Sequence, residues 1–277
     1  MSQGFANIPL HAGVRVLKAC DCGLVALDKP EGVMAHPNSS EDNARALITA
    51  NYSLDEEAYH VRDGAGGIRR VWLINRLDGP TSGVILVATD EKVALEAKQA
   101  FAKGTVAKRY VAVCLGRVFP TVRGTWTDSL AKQGGGPEGV RSVVVRPGMR
   151  PQGPVSQALT IFRVGQKGVG PLDLVTLHLE PRTGRTHQLR VQCAAHGHPI
   201  LGDRTYGHYE GNKAFGADRG HKRLFLHAES VELTVNLNGK PVKFSATAPV
   251  PPEFAAAMGT PGGPAGSADK GLGRVRV

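Results

Sequence analysis

Apolar positions fall mostly into strand-length runs rather than long helical periods. The runs VRVLK (14–18) and LVALD (24–28), separated by Asp21-Cys22-Gly23, predict an opening hairpin. After the loop KPEGVMAHP (29–37), Ser40 caps a short predicted helix, with Glu41 and Asp42 in its first turn and Ala44, Leu47 and Ile48 on one face. Residues 55–70 mix charge and glycine without a period and read as a surface loop. VWLIN (71–75) and GVILVAT (83–89) read as strands. Asp90 then caps a helix carrying Ala94, Ala97 and Phe101 on one side and stopping at Gly104. Val106 to Leu115 alternates, which places Lys108 and Tyr110 on one face of a strand. VVV (143–145) and ALTIF (158–162) are strand pieces around the glycine-rich loop GGGPEG (134–139), and residues 172–180 form a further strand. The stretch 180–199 reads as a loop entering a helix that aligns Leu189, Cys193 and His196 and ends at Gly197. The run RLFLHAE (223–229) leads into VELTVNL (231–237), and Asn238-Gly239 predicts a hairpin from there to VKFSA (242–246). Strands outnumber helices without a βαβ rhythm, so the predicted class is α+β with a mixed, largely antiparallel sheet and flanking helices.

Composition narrows the chemistry. The chain has 277 residues with 34 Lys+Arg against 24 Asp+Glu, a formal charge of +10, which favours an acidic partner. No apolar run approaches the roughly 18 residues of a membrane span, and the first twenty residues lack a signal-peptide pattern, so a soluble, cytoplasmic protein is expected. Cys20, Cys22, Cys114 and Cys193 form no C-x-x-C, which argues against structural disulfides or a zinc site. His196 and His198 flank Gly197, but the expectation there is a helix end rather than a metal pair. No Walker, dinucleotide-binding or zincin motif occurs.

Two clusters remain. NRLDGPTSG (75–83) sets the carboxylate of Asp78 between two apolar strands, and TGRTHQLRV (183–191) carries Arg185, His187 and Arg190 into a helix start. Asp-Gly between strands is first of all a turn signal. Pro80 removes the N–H that a two-residue hairpin needs, so a longer loop displaying Arg76 and Asp78 is the competing reading. The basic cluster fits a phosphate ligand at a helix start or an ordinary solvated helix end.

Together these stretches resemble the RluA family of RNA pseudouridine synthases. NRLDGPTSG, TGRTHQLRV and GHPILGD (197–203) match its motifs in order, while KPEGVMAHP and KRYVAVCLG (108–116) resemble its opening loop and tyrosine strand. The resemblance implies a pseudouridine synthase catalytic fold over residues 14–258, after an extension (1–13) and before a Gly/Pro-rich basic tail (259–277) expected to be disordered. It implies an isomerase that flips a uridine out of structured RNA, rRNA or tRNA, and uses no cofactor, metal or membrane. Asp78 would open the glycosidic bond, by attack at C1′ or by way of a glycal. Arg190 would be its cationic partner, and Tyr110 would stack on the uracil. Arg76 would fill the space left by the flipped nucleotide, and Leu77 and Leu189 would wall the pocket. Lys29, Lys108, Arg185 and His187 complete the expected RNA-binding set.

The chain departs from the family pattern at two histidines. Asn75 stands where the family has a histidine before Arg-Leu-Asp, and Gln192 where one commonly follows Arg-Val, a change expected to affect RNA contact more than catalysis. From the short N-terminal lead, the S4-type domain of many relatives is not expected, and Pro80 resembles relatives that act on tRNA. A non-catalytic RNA-binding or RNA-folding factor on the same scaffold is the alternative function. A glycosidase is more distant, since a second carboxylate is missing near Asp78.

Overall fold

The computed structural model describes residue 5 and residues 7–63, 66–116, 121–134, 141–151, 153–220 and 222–259. The tail from 260 onward and most of the glycine-rich loop, from 135 to 140, lie outside the described residues. In chain order the elements are β1 (Arg15–Ala19), β2 (Leu24–Lys29), β3 (Asn51–Ser53), β4 (Ala58–Arg62), β5 (Ile68–Leu73), β6 (Ser82–Ala88), α1 (Glu91–Ala102), β7 (Ala107–Leu115), β8 (Arg123–Gln133), β9 (Arg141–Val144), β10 (Val155–Lys167), β11 (Leu174–Pro181), α2 (Gln188–Ala195), α3 (Tyr209–Arg219), β12 (Leu226–Leu237), β13 (Lys240–Thr247) and α4 (Pro252–Ala257). Within the span expected as one domain, the chain divides into two compact units. Met1–Lys108 with Ala228–Pro249 form the first, and Arg109–His227 with Val250–Val277 the second. Among the described residues no helix is long and apolar enough to cross a membrane.

The first unit is organised on β2 and β6, which pair antiparallel and bury every residue. Strands covered on both faces need near-continuous apolar sequence, and the runs 24–27 and 84–88 supply it. β1 pairs with β2, and β5 touches β6 only through Trp72↔Ala88 and Leu73↔Val87. The helix α1 starts as predicted, with Asp90 accepting from Val93 N at 3.0 Å, and packs Val93, Ala94, Ala97 and Ala100 on the core with Leu86, Leu233 and Phe244. The type I′ signal at Asn238-Gly239 is realised with φ of 52° and 79°, joining β12 to β13.

Three expectations for this unit change. Residues 55–70 hold the β4–β5 hairpin, in which Tyr59 and Val61 are buried on one face and Ala58 on the other; the charged neighbours hid that pattern. The Ser40 helix is a single 3-10 segment (Ser40–Arg45) with no side-chain cap from Ser39 or Ser40, and Leu47 and Ile48 are buried beyond its end. The expected N-terminal extension is tied down at its end: His11 N donates to Leu47 O and Thr49 N to Pro9 O.

In the second unit antiparallel pairings run β7–β11–β10–β8–β9. Their core gathers Trp126 stacked on Phe162 (4.6 Å) with Leu177, Leu179, Cys193 and Phe225. The alternation expected along 106–115 gives way to continuous burial from Val111 to Leu115, because this half of β7 is covered on both faces. Helix α3, spanning a glycine-broken sequence, carries little local signal and is set by its ends: His208 Nδ1 accepts from Gly211 N, and Gly220 closes it at φ 70°.

Candidate active site

In the first unit the site is built where β5 leaves β6. Ile74 N still donates to Leu86 O, but the next ladder position is taken by a side chain, with Leu86 N donating to Asn75 Oδ1 at 2.8 Å. Asn75 therefore ends the strand and frees residues 76–81 to form a loop. Its role here is backbone capping, which needs a hydrogen-bond acceptor rather than a titrating ring. Thr81 N closes the loop on Asp78 O at 2.9 Å, so Asp78-Gly79-Pro80-Thr81 is a turn after all, inside a longer displayed loop. Gly83 is fixed by space, since a Cβ there would meet Ala228 O at 2.2 Å.

A buried cation braces this loop from below. Lys29 is 0% exposed, and its Nζ donates to Val33 O (2.7 Å), Gly79 O (2.9 Å) and Pro30 O (3.1 Å). Gly32 N adds a further bond to Gly79 O. Lys29 was expected at the RNA surface. The structure places it inside, where three backbone carbonyls take up its ammonium donors, and its part is to hold the Gly79 peptide next to Asp78. Along the loop Arg76 is exposed, Leu77 is buried and Asp78 is half-buried.

In the second unit the candidate residues lie on the 183–190 segment and α2. This helix buries six consecutive residues, Gln188 to Cys193, instead of the single apolar face expected, while Arg185 just before it is exposed. Burial on all sides requires an internal partner for each polar side chain. Gln188 Oε1 accepts from Thr183 Oγ1 (2.7 Å) and Arg185 N (3.0 Å), while its Nε2 donates to Thr160 Oγ1 and Leu159 O. Gln192 accepts from Thr160 Oγ1 at 2.6 Å and donates to Asp128 Oδ2 at 2.7 Å. Gln192 is 0% exposed, so its substitution for histidine changes a core hydrogen bond and not an RNA-facing one.

Arg190 is held by Asp203 in a two-point pair, Nε to Oδ2 and Nη2 to Oδ1, both at 2.8 Å, with side chains 6% and 0% exposed. Burial raises the Asp203 carboxyl, but the bonds and charge of Arg190, with the amides of Thr205 and Tyr206, outweigh it and hold the group below the ordinary carboxylate range. The Arg190 guanidinium also lies 5.3 Å from the Tyr206 ring. Tyr206 reaches His187 Nδ1 at 3.0 Å and accepts from Ser142 N at 2.8 Å, and Ser142 Oγ donates to Thr186 O. His187 itself sits in the left-handed region at φ 54°, a conformation histidine tolerates better than most residues, and leads straight into α2. Arg185 is exposed and spends its Nε on Gln157 O, while Leu189 is buried in the core. On β7, Tyr110 is half-buried, opposite Leu179 of β11, and packs on the same core; Lys108 is half-buried two residues before it.

The fold thus gathers Arg185, His187, Leu189 and Arg190, and adds residues that sequence reasoning missed: Ser142, Gln188, Asp203 and Tyr206. Asp203 closes the third motif (197–203), and Tyr206 follows three residues later. The available signal was the position of Asp203 inside the third motif.

The histidines beside this segment have structural uses. His196 stacks on Trp126 at 4.8 Å and meets Asp128 Oδ2 at 3.1 Å. His198 is pushed down to about 4 by burial and by the neighbouring His196. An unfolded histidine titrates near 6.5, so neutral His198 favours the folded state above that pH, and this contribution is lost as pH falls towards about 4, reaching about 2 kcal/mol near pH 5. Urea unfolding near neutrality and near pH 5 is expected to show this loss, and His198→Gln to remove most of it; an unchanged pH dependence in that variant would assign it elsewhere.

Comparison with known proteins assigns the chain to a family. The family model for RNA pseudouridylate synthase aligns with residues 23–195, more than half the chain. The chain belongs to this family. Its RluA-type members are isomerases that rearrange uridine in RNA. The chain is 29% identical over 231 residues to tRNA pseudouridine synthase C of Pectobacterium carotovorum, covering 80% of itself and 56% of that protein. It is 31% identical over 236 residues to ribosomal large subunit pseudouridine synthase D of Zymomonas mobilis, covering 82% of itself and 67% of that protein. Among solved structures, human RNA pseudouridylate synthase domain containing 1 superposes with a TM-score of 0.64 at 24% identity, covering 93% of this chain and 91% of that one, a likeness of fold.

Proposed function

We propose that this protein converts uridine to pseudouridine in structured RNA, tRNA or rRNA, in the cytoplasm. The observation that carries the reading is Asp78, a half-buried carboxylate on a motif loop that Lys29 and Asn75 brace through the backbone. The balance of the reaction suits a site without a cofactor. The N1–C1′ bond breaks, the C5–C1′ bond forms, C5 loses a proton and N1 gains one, with no oxidant, donor or water consumed. Asp78 starts the cleavage, at C1′ or C2′. Tyr110 stacks on the turned uracil and assists departure of the C5 proton. Arg190, oriented by Asp203, supplies fixed positive charge. Arg76 takes the place of the extruded nucleotide, at a cost of a few kcal/mol for unstacking. Lys108, Arg185 and His187 contact the RNA, and Leu77 and Leu189 contribute apolar packing. The non-catalytic alternative is motivated by Asn75 and by the charge of +10; since Asn75 caps the strand through Leu86 N, a role that needs no titrating ring, the charge is the feature that still favours it.

Incubating RNA from cells lacking the protein with purified wild type, then mapping pseudouridine chemically at nucleotide resolution, is expected to reveal new modified sites. No new site in either tRNA or rRNA would overturn the assignment.

A further inference from the structure

The second unit holds a cavity of about 610 Å³ between the 202–207 loop and α3, which none of the roles above uses. Its size falls in the range of roughly 300–1,000 Å³ typical of small-ligand sites. The walls are preformed. Asn212 ties helix to loop, accepting from Gly202 N at 2.8 Å and donating to Asp203 O at 3.1 Å. A Cβ on Gly207 would meet Asp203 O at 2.0 Å, so the loop backbone is packed closely against itself.

The lining is chemically one-sided. Arg204, Lys213 and Lys222 contribute three cations, and none of them has an ion-pair or hydrogen-bond partner among the described residues. The single acid in the lining is Asp203, whose charge is engaged by Arg190; Glu210 and Asp218 of α3 do not line the cavity. Beside the cations stands Tyr209, 73% exposed, a large ring left uncovered at the cavity wall. Unpartnered cations select an anion, and an uncovered aromatic face selects a flat π-system. The two together fit the phosphate and base of one nucleotide.

We propose that this cavity is a second RNA subsite, in which a nucleotide away from the reacting uridine places its phosphate among Arg204, Lys213 and Lys222 and its base on Tyr209. The proposal rests on RNA being the substrate. It makes this loop two-sided, with Asp203 orienting Arg190 on one side while its neighbours grip the strand on the other.

Filter binding of unfractionated tRNA to the full-length protein over a series of KCl concentrations tests it. Binding is read instead of turnover, so the result is independent of whether Asp78 isomerises uridine. Lys213→Ala with Lys222→Ala is expected to reduce the slope of log affinity against log salt by about 1.5, as two lost phosphate contacts require. Tyr209→Ala is expected to weaken binding roughly tenfold, and Tyr209→Phe, which keeps the ring, to restore it. All three positions are exposed, and unchanged melting temperatures verify folding. An unchanged slope in the double variant, equal affinity for Tyr209→Ala, or displacement of tRNA by equimolar free uridine monophosphate would overturn the subsite.

Discussion

Replacing Asp78 by asparagine is expected to abolish pseudouridine formation, by roughly 10³-fold or more, while leaving the protein folded and able to bind RNA. The expectation follows from how the loop is held. The bonds that shape it run to its backbone, from Lys29 to Gly79 O, from Gly32 N to the same carbonyl and from Thr81 N to Asp78 O, while Asn75 anchors its base. None of these needs the Asp78 charge. Asparagine keeps the shape but cannot attack C1′ or take a proton from C2′, so the loss falls on chemistry. Tritium release from RNA labelled at uridine C5 gives the rate, and thermal melting gives the fold. Activity within tenfold of wild type, with normal melting, would remove the carboxylate from the reaction.

Replacing Asp203 by asparagine is expected to cost about 3–5 kcal/mol of stability, because it leaves Arg190 buried without a counter-charge. For a chain of this size that lowers the melting temperature by roughly 10 °C. The pair is not irreplaceable for folding. Arg190→Met combined with Asp203→Leu is expected to recover part of the loss, since no charge is then left buried alone although the amides of Thr205 and Tyr206 lose their acceptor, while pseudouridine formation stays absent. The same pair gives acid sensitivity of known sign. The Asp203 carboxyl titrates below its ordinary value near 3.9, so its contribution is complete above that pH and disappears as pH falls below it. Calorimetry of Arg190→Met, Asp203→Leu and the double variant closes a double-mutant cycle. Simple additivity, with no coupling energy, would show that Asp203 does not hold Arg190.

Much of this was legible in the chain. The β2 and β6 runs, the Asp90 cap, the Asn-Gly hairpin and the α2 terminator Gly197 are local signals, where turn chemistry and apolar runs act over a few residues. The candidate carboxylate was legible because Pro80 disallows a minimal hairpin around it. The β4–β5 hairpin escaped because charge on its outer face masked the inner alternation, and α3 escaped because a glycine-rich helix is held by its caps and by Asn212 rather than by its own propensity.

The sequence by itself determined the family, the strand-rich class and the loop that carries Asp78, because each is written in residues adjacent in the chain. What only the tertiary structure decided is the partner of each buried polar group. Lys29 went to the carbonyls of residues 30, 33 and 79, Asn75 to a strand amide, Gln192 to Thr160 and Asp128, and Arg190 to Asp203. Burying a charge or an amide is costly unless it is matched, and the match comes from whichever group the fold brings within about 3 Å, most often one far along the chain that no local pattern encodes.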